Sequence, residues 1–183
     1  MDNKTFDELW GQFKQLHRKE ELRQLVNLVD RFKPRTILEL GICHGGSFKM
    51  WEALLPDNGL LVGIDRLNVV QWNWKTSPKN VVYIQDDISN AILELSEWIG
   101  DVDFLYIDAD HYYDGFKRHF ELYSPLVRGG GLIAFHDIRD NKGSGYGVGK
   151  FFNELKGHYG WLEILVPGED RGPGADGIGV VFK

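Results

Sequence analysis

Apolar residues return along this chain with two different periods, and the switch between them outlines the architecture. Phe6, Leu9, Trp10, Phe13 and Leu16 recur at helical intervals behind Thr5 and Glu8, which have the spacing of a capping box. Leu22, Leu25, Val26, Val29 and Phe32 form a second helical stripe, stopped by Pro34. From residue 35 the rhythm becomes strand, loop, helix, repeated. Short continuous apolar runs at 36–40 (TILEL), 60–65 (LLVGID), 81–87 (VVYIQDD), 104–107 (FLYI) and 131–137 (GLIAFHD) read as buried strands. Helical stretches between them carry Phe48, Trp51 and Leu55, then Ile92, Leu95 and Ile99, then Phe116, Phe120, Tyr123 and Val127, the last ended by Gly129, Gly130 and Gly131. A glycine-rich segment at 140–149 precedes a short helix around 150–155, and two strands (WLEILVP and GIGVVFK) flank a Gly/Pro/Asp-rich loop at 167–177.

No linker, repeat or low-complexity tract interrupts this alternation. It predicts one domain over residues 1–183, of α/β class. The expected fold is a Rossmann-like, doubly wound, mostly parallel seven-stranded sheet with an antiparallel last strand and two N-terminal helices at 1–33. Residues 35–100 form one half of the sheet and 101–183 the other.

Charge and cysteine content narrow the function. The net charge of −6 is spread along the chain, with no basic stripe, so nucleic acid is not an expected partner. A single cysteine, Cys43, excludes an internal disulfide and a multi-cysteine zinc cluster and suits a reducing compartment. The N-terminus is too polar for a signal peptide and no apolar run approaches a membrane span, so a cytoplasmic protein with no membrane partner is expected.

Two stretches carry chemistry. DFLYIDADHYYDG (103–115) runs a buried strand into Asp108, Asp110 and His111, at the strand end where open α/β sheets bind ligands. ILELGICHGGS (37–47) places an acid and a glycine-rich turn between a strand and a helix. In that turn, Gly41 and Gly45 or Gly46 permit positive φ and close approach of a ligand. The spacing is not GxGxxG, which weighs against a pyrophosphate site.

ILELGICHGGS resembles the first motif of class I S-adenosylmethionine-dependent methyltransferases. The resemblance implies that the turn, including Ile42, and the helix N-terminus with Ser47 cradle the methionine carboxylate, and that Glu39 holds the ammonium. Asp65, beside Arg66, would accept hydrogen bonds from the ribose hydroxyls, although a dinucleotide enzyme would use the same acid. Asp87, or Asp86, would meet the adenine amino group; either acid also suits a helix N-cap. Trp72 and Trp74 would wall the adenine or fill the edge of the core.

Residues 103–138 are similar to the small metal-dependent O-methyltransferases, which include macrolide and rhamnosyl O-methyltransferases and the proteins called cephalosporin hydroxylases. They are similar, more distantly, to catechol and caffeoyl-CoA O-methyltransferases. The resemblance covers roughly residues 35–140. It implies a divalent metal on Asp108, His136 and Asp137, and His111 as the base. The DxxH form belongs to sugar-modifying relatives, so the implied acceptor is a small hydroxylated molecule such as a sugar. Asp110 would orient the imidazole or act as a ligand. The relatives commonly have Glu, Asp or Asn where this chain has His136. Magnesium is the first expectation, held by Asp108 and Asp137 with waters, whereas an imidazole ligand suits manganese, iron or zinc. The alternative without metal leaves His111 acting alone.

His17, His44, His119 and His158 have no partner identifiable from spacing and read as surface or satisfied histidines. No two-histidine, one-carboxylate set announces a non-haem iron oxygenase. Three rival readings remain: a dinucleotide-dependent oxidoreductase, a hydroxylase, and a non-catalytic module on a cofactor fold. A homo-oligomer through the aromatic N-terminal helices is a further expectation.

Overall fold

Strand β1 (Thr36–Leu40) shows how the sheet is built, because its side chains divide between two layers. Leu38 and Leu40 pack with Ile88, Leu95, Phe116, Phe120 and Phe151 on one face, while Ile37 packs with Phe6, Leu25, Val29, Phe48 and Trp51 on the other. A strand buried on both faces has to be apolar, and within TILEL, past the half-buried Thr36, Glu39 alone breaks that rule. The computed structural model describes residues 1–13, 17–67, 79–139, 145–167 and 177–183.

Among those residues the sheet has seven strands in the order β3-β2-β1-β4-β5-β7-β6. Beside β1 these are β2 (Leu60–Asp65), β3 (Asn80–Gln85), β4 (Val102–Ile107), β5 (Val127–His136), β6 (Gly160–Ile164) and β7 (Ile178–Phe182). The first five pair in parallel. Strand β7 is antiparallel to both of its neighbours, so it alone runs against the rest, as expected. Helices α1 (Asn3–Gln12), α2 (Lys19–Phe32) and α3 (Gly46–Leu54) cover one face. The other is covered by α4 (Ile88–Leu95), α5 (Tyr113–Tyr123) and α6 (Val148–Leu155). Strand order reverses between β1 and β4, and the crevice at their carboxyl ends is the ligand position such sheets favour.

Several boundaries depart from the sequence reading. Asp2, not Thr5, caps α1, accepting from Thr5 N at 2.8 Å; of the expected stripe Leu16 lies outside the described residues, and among those described only Phe6 is fully buried. Lys33 closes α2 in the left-handed conformation, its N–H bonded to Val29 O, just before Pro34. Strand β3 ends at Gln85, leaving Asp86 and Asp87 beyond it. A 3-10 turn at Ser124–Leu126 follows α5, so Val127 begins β5 rather than extending the helix. The three glycines fall inside that strand because Gly130 and Gly131 pair with the backbone of Lys183. Trp72, Trp74 and residues 140–144 lie outside the described residues.

Candidate active site

The loop after β1 is fixed first by its own backbone. Gly41 has φ +86°, and a Cβ there would stand 2.2 Å from Asp108 O, so glycine is required for β1 and β4 to meet. Gly41 N donates to Ile64 O at 2.9 Å and Asp108 N to Leu40 O at 2.8 Å, tying three strand ends together. Gly45, at φ +78°, is the N-cap of α3, while Gly46 is the first helical residue. The pair read as interchangeable therefore divides, with Gly45 taking the positive φ. Cys43 also has positive φ (49°), which its residue type did not announce.

Asp65 holds this loop. Its Oδ2 accepts from Ile42 N and Cys43 N, both at 2.8 Å, and its Oδ1 accepts from Leu67 N at 2.8 Å. A carboxylate offers about four acceptor positions, so three amides leave room for one more donor at the cleft. Glu39 is wholly buried and accepts the Ser47 hydroxyl on Oε1, while its Oε2 has no partner among the described residues. Burial above all, reinforced by the charges of Asp108 and Asp65, pushes its carboxyl well above the usual range despite the Ser47 bond. An orphaned buried acceptor at the foot of a helix whose N-terminus lacks a side-chain cap fits an ammonium and carboxylate ligand there. Asp87 caps α4, accepting from Ser89 N at 2.8 Å, and Asp86 accepts from Asp87 N at 2.6 Å.

A cleft of about 850 Å³ opens over these strand ends. Of the residues the sequence assigned to a cofactor, Gly41, Asp65, Arg66, Asp87 and Asp108 line it. Glu39, Ile42, Gly45, Gly46, Ser47 and Asp86 do not; all but Asp86 are buried beneath the loop.

The opposite wall is made of acids and imidazoles. His111 Nε2 lies 2.9 Å from Asp137 Oδ2 and 3.7 Å from Asp108 Oδ1. His136 Nδ1 lies 3.3 Å from Asp137 Oδ1 and 3.6 Å from Asp108 Oδ1. Asp108, His136 and Asp137 thus converge as proposed from sequence, with His111 beside them. Asp137 follows β5 at φ +64°, an uncommon conformation for a non-glycine residue, and it turns the carboxylate back toward His111. Burial alone would lower the His111 pKa; the hydrogen bonds and charges of Asp108 and Asp137 override it and raise it to about 10. His136 rises to about 9 in the same way, burial being outweighed chiefly by Asp108. Burial would raise Asp108, but the imidazoles of His136, His111 and His17 hold it well below the usual carboxylate range.

Asp110 does not orient His111 in this arrangement. Its Oδ1 accepts from Tyr112 N at 2.8 Å, at the start of α5, while the imidazole addresses Asp137. The ring that packs on His111 is Tyr146, at 4.8 Å between centroids and 22° between planes. Gly147 N donates to His111 O at 2.8 Å, so the segment after β5 docks on the candidate base.

His17 corrects the sequence reading most. It is buried beside the strand ends, with Nε2 2.7 Å from Tyr106 Oη and 3.1 Å from Asp108 Oδ2. The fold therefore assembles the two histidines and a carboxylate, His17, His136 and Asp108, that no spacing announced. His119, read as a surface or satisfied histidine, is buried against the cleft, and burial lowers its pKa. Tyr106 was read only as part of a buried strand; its side chain lies on the α1–α3 face, where His17 enters. His44 and His158 are exposed.

A family model described as a methyltransferase domain matches residues 38–138. The chain is 28% identical over 109 residues to "Probable caffeoyl-CoA O-methyltransferase 3" of Dictyostelium discoideum, covering 55% of this chain and 43% of that protein. It is 31% identical over 137 residues to an uncharacterized protein of Acanthamoeba polyphaga mimivirus, covering 66% of this chain and 60% of that protein. The chain thus spans less than two thirds of the length of either relative. Among solved structures, an O-methyltransferase from Bacillus cereus in complex with SAH superposes with a TM-score of 0.75 at 19% identity, covering 100% of this chain and 92% of that one. That likeness is one of fold.

Proposed function

The chain belongs to the methyltransferase-domain family, and from that premise we propose that it is an S-adenosylmethionine-dependent O-methyltransferase acting on a hydroxyl of a small molecule. The observation that carries this reading is the shared cleft. Asp65 and Asp87 line it together with Asp108, His111 and Asp137, and Gly41 lines it where it packs on Asp108. Methyl transfer from a sulfonium is an in-line displacement, so aligning the two reactants is the main task, and one cleft with two unlike walls does that.

On the first wall, Glu39 Oε2 and the N-terminus of α3, which has no side-chain cap, receive the ammonium and carboxylate of the methionine moiety. The remaining acceptor capacity of Asp65 receives the ribose, and Asp87, ahead of α4, stands at the adenine position. On the second wall, His111 Nε2 takes the proton of the acceptor hydroxyl. With a pKa near 10 it is an imidazolium at neutral pH while both carboxylates stay unneutralised, and in that state it has no lone pair to accept a proton. The donor set of Asp108, Asp137 and His136, with Asp137 Oδ1 lacking a hydrogen bond, fits a divalent cation. When bound, such an ion supplies positive charge that acidifies and orients the hydroxyl and offsets the two carboxylates. This argument favours metal assistance over His111 acting alone.

The acceptor we favour is a sugar or a glycosylated natural product. The DxxH spacing of Asp108 and His111 supports it, as does the aromatic rim of Tyr112 and Tyr146, whose rings meet edge to face at 5.9 Å beside the candidate base. The test is calorimetric titration with S-adenosylmethionine and separately with a nicotinamide dinucleotide, each with and without a chelator. One-to-one binding of S-adenosylmethionine with no dinucleotide binding is expected. Binding of the dinucleotide alone would assign the cleft to an oxidoreductase.

A further inference from the structure

His17 is poorly explained as a histidine buried only to make hydrogen bonds. One ring nitrogen, Nε2, faces both Tyr106 Oη at 2.7 Å and Asp108 Oδ2 at 3.1 Å, while Nδ1 is buried with no hydrogen-bond partner among the described residues. A ring nitrogen carries either one proton or one lone pair, so Nε2 serves one of those neighbours well at a time. Opposite it, His136 presents its ring at 4.5 Å between centroids, with Nδ1 3.6 Å from the other oxygen of Asp108. Donor atoms of His17, Asp108 and His136 all lie within 4.8 Å of one another. Asp137 Oδ1, on a side chain 2% exposed, adds an acceptor 3.3 Å from His136 Nδ1 that makes no hydrogen bond among the described residues.

We propose that His17, His136 and Asp108 form a binding site for a divalent transition-metal ion, with the segment before α2 contributing His17 as a ligand. The proposal extends the metal-assisted reading above: it names a ligand from outside the strand ends and the class of ion. Donors bound at about 2.1 Å to one tetrahedral ion stand about 3.4 Å apart, close to the 3.1 and 3.6 Å that separate Asp108 from the two imidazoles. Magnesium prefers an all-oxygen shell, whereas imidazole donors suit manganese, iron, cobalt or zinc. Burial argues the same way: His17 and His136 are 6% and 5% exposed, which leaves little room for the several waters that magnesium retains.

The probe is cobalt(II). Chelator-stripped full-length protein is titrated with cobalt(II) while its visible d–d bands are followed, then with magnesium in competition. X-ray absorption on the cobalt-loaded protein counts imidazole ligands. Cobalt(II) is expected to bind about a hundredfold more tightly than magnesium, with at least two imidazoles in its shell. His17→Gln is expected to weaken cobalt binding about tenfold or more, alter the bands and remove one imidazole. Equal affinity for the two ions, an oxygen-only shell, or a His17→Gln spectrum and affinity like those of wild type would overturn the proposal. If His17→Gln does not fold, the imidazole count on the wild-type protein decides. S-adenosylmethionine is titrated in parallel. Cofactor binding without cobalt selectivity removes the metal site and leaves the methyltransferase reading; cobalt selectivity without cofactor binding does the reverse.

Discussion

The two walls of the cleft hold their carboxylates by opposite means. On the cofactor side, acids are held by neutral donors: Asp65 by three backbone amides, Asp87 by the first turn of α4, Glu39 by the Ser47 hydroxyl. On the acceptor side, Asp108 and Asp137 face His17, His111 and His136, and one polar atom each of His17, His136 and Asp137 has no hydrogen bond among the described residues. The first wall rests on neutral donors and leaves Glu39 Oε2 unpartnered among the described residues, whereas the second rests on coupled charges; each holds one non-glycine residue at positive φ, Cys43 and Asp137. A wall built on backbone can bind a constant ligand without rearranging. A wall of coupled charges can change protonation when a ligand or ion arrives, as proton transfer requires.

Gly41 is where the walls meet, and changing it gives the largest effect. Gly41→Ala combines a positive φ with a Cβ driven into the Asp108 carbonyl and is expected to destabilise the protein by about 3 kcal/mol or more, read as a drop in the urea midpoint. A loss under about 1 kcal/mol would mean that the two strand ends can separate, and the contrast between the walls would no longer rest on a shared joint.

Next in size is the pH dependence of the metal-free protein. His111 and His136 stand near 10 and 9 in the folded state, against about 6.5 in an unfolded chain. Groups raised in this way contribute stability that is full below about pH 6.5 and is lost as pH climbs through 9 to 10. Asp108 is lowered, so its contribution is present above about pH 4 and is lost in acid. Thermal midpoints in chelator are expected to peak between these limits and fall on the alkaline side, and His111→Ala is expected to flatten that fall. Parallel profiles for wild type and variant would place the charge coupling elsewhere.

The smallest effect sharpens the boundary of the second wall. Asp110 belongs with the backbone-held acids, since it accepts from Tyr112 N and an amide oxygen can do the same. Asp110→Asn is expected to change stability by less than about 0.5 kcal/mol and to leave turnover within a factor of about two, an effect worth under 0.5 kcal/mol on the barrier. A hundredfold fall in turnover would return Asp110 to the role of orienting His111.

The same division governs how much was legible in the sequence. The glycine turn, Asp65 and the strand-end acids follow from local rules, since strand, turn and helix lie within a dozen residues and each acid follows its strand directly. The mostly parallel seven-stranded sheet and its reversed last strand were legible for the same reason, because alternation and a terminal strand pair restrict the topology. His17 was not, since 91 positions separate it from Asp108 and only packing of the N-terminal segment against Tyr106 brings it there. Nor was Asp137 legible as a turn: GLIAFHD reads as continuous strand, and the positive φ that redirects its carboxylate leaves no mark when the residue is not glycine. Asp65 was seen only as a ribose acceptor, because a side chain that braces a neighbouring loop has no sequence signature.

The division of labour between the walls is tested most directly by titrating S-adenosylmethionine into Asp65→Asn and His111→Ala side by side. Asp65→Asn replaces an acceptor of three amides with a group that is itself partly a donor, and it is expected to weaken cofactor binding about tenfold or more. His111→Ala is expected to bind the cofactor within about twofold of wild type while methyl transfer falls about a hundredfold or more. Equal loss of cofactor affinity in both variants would contradict the account, because His111 would then belong to the cofactor wall.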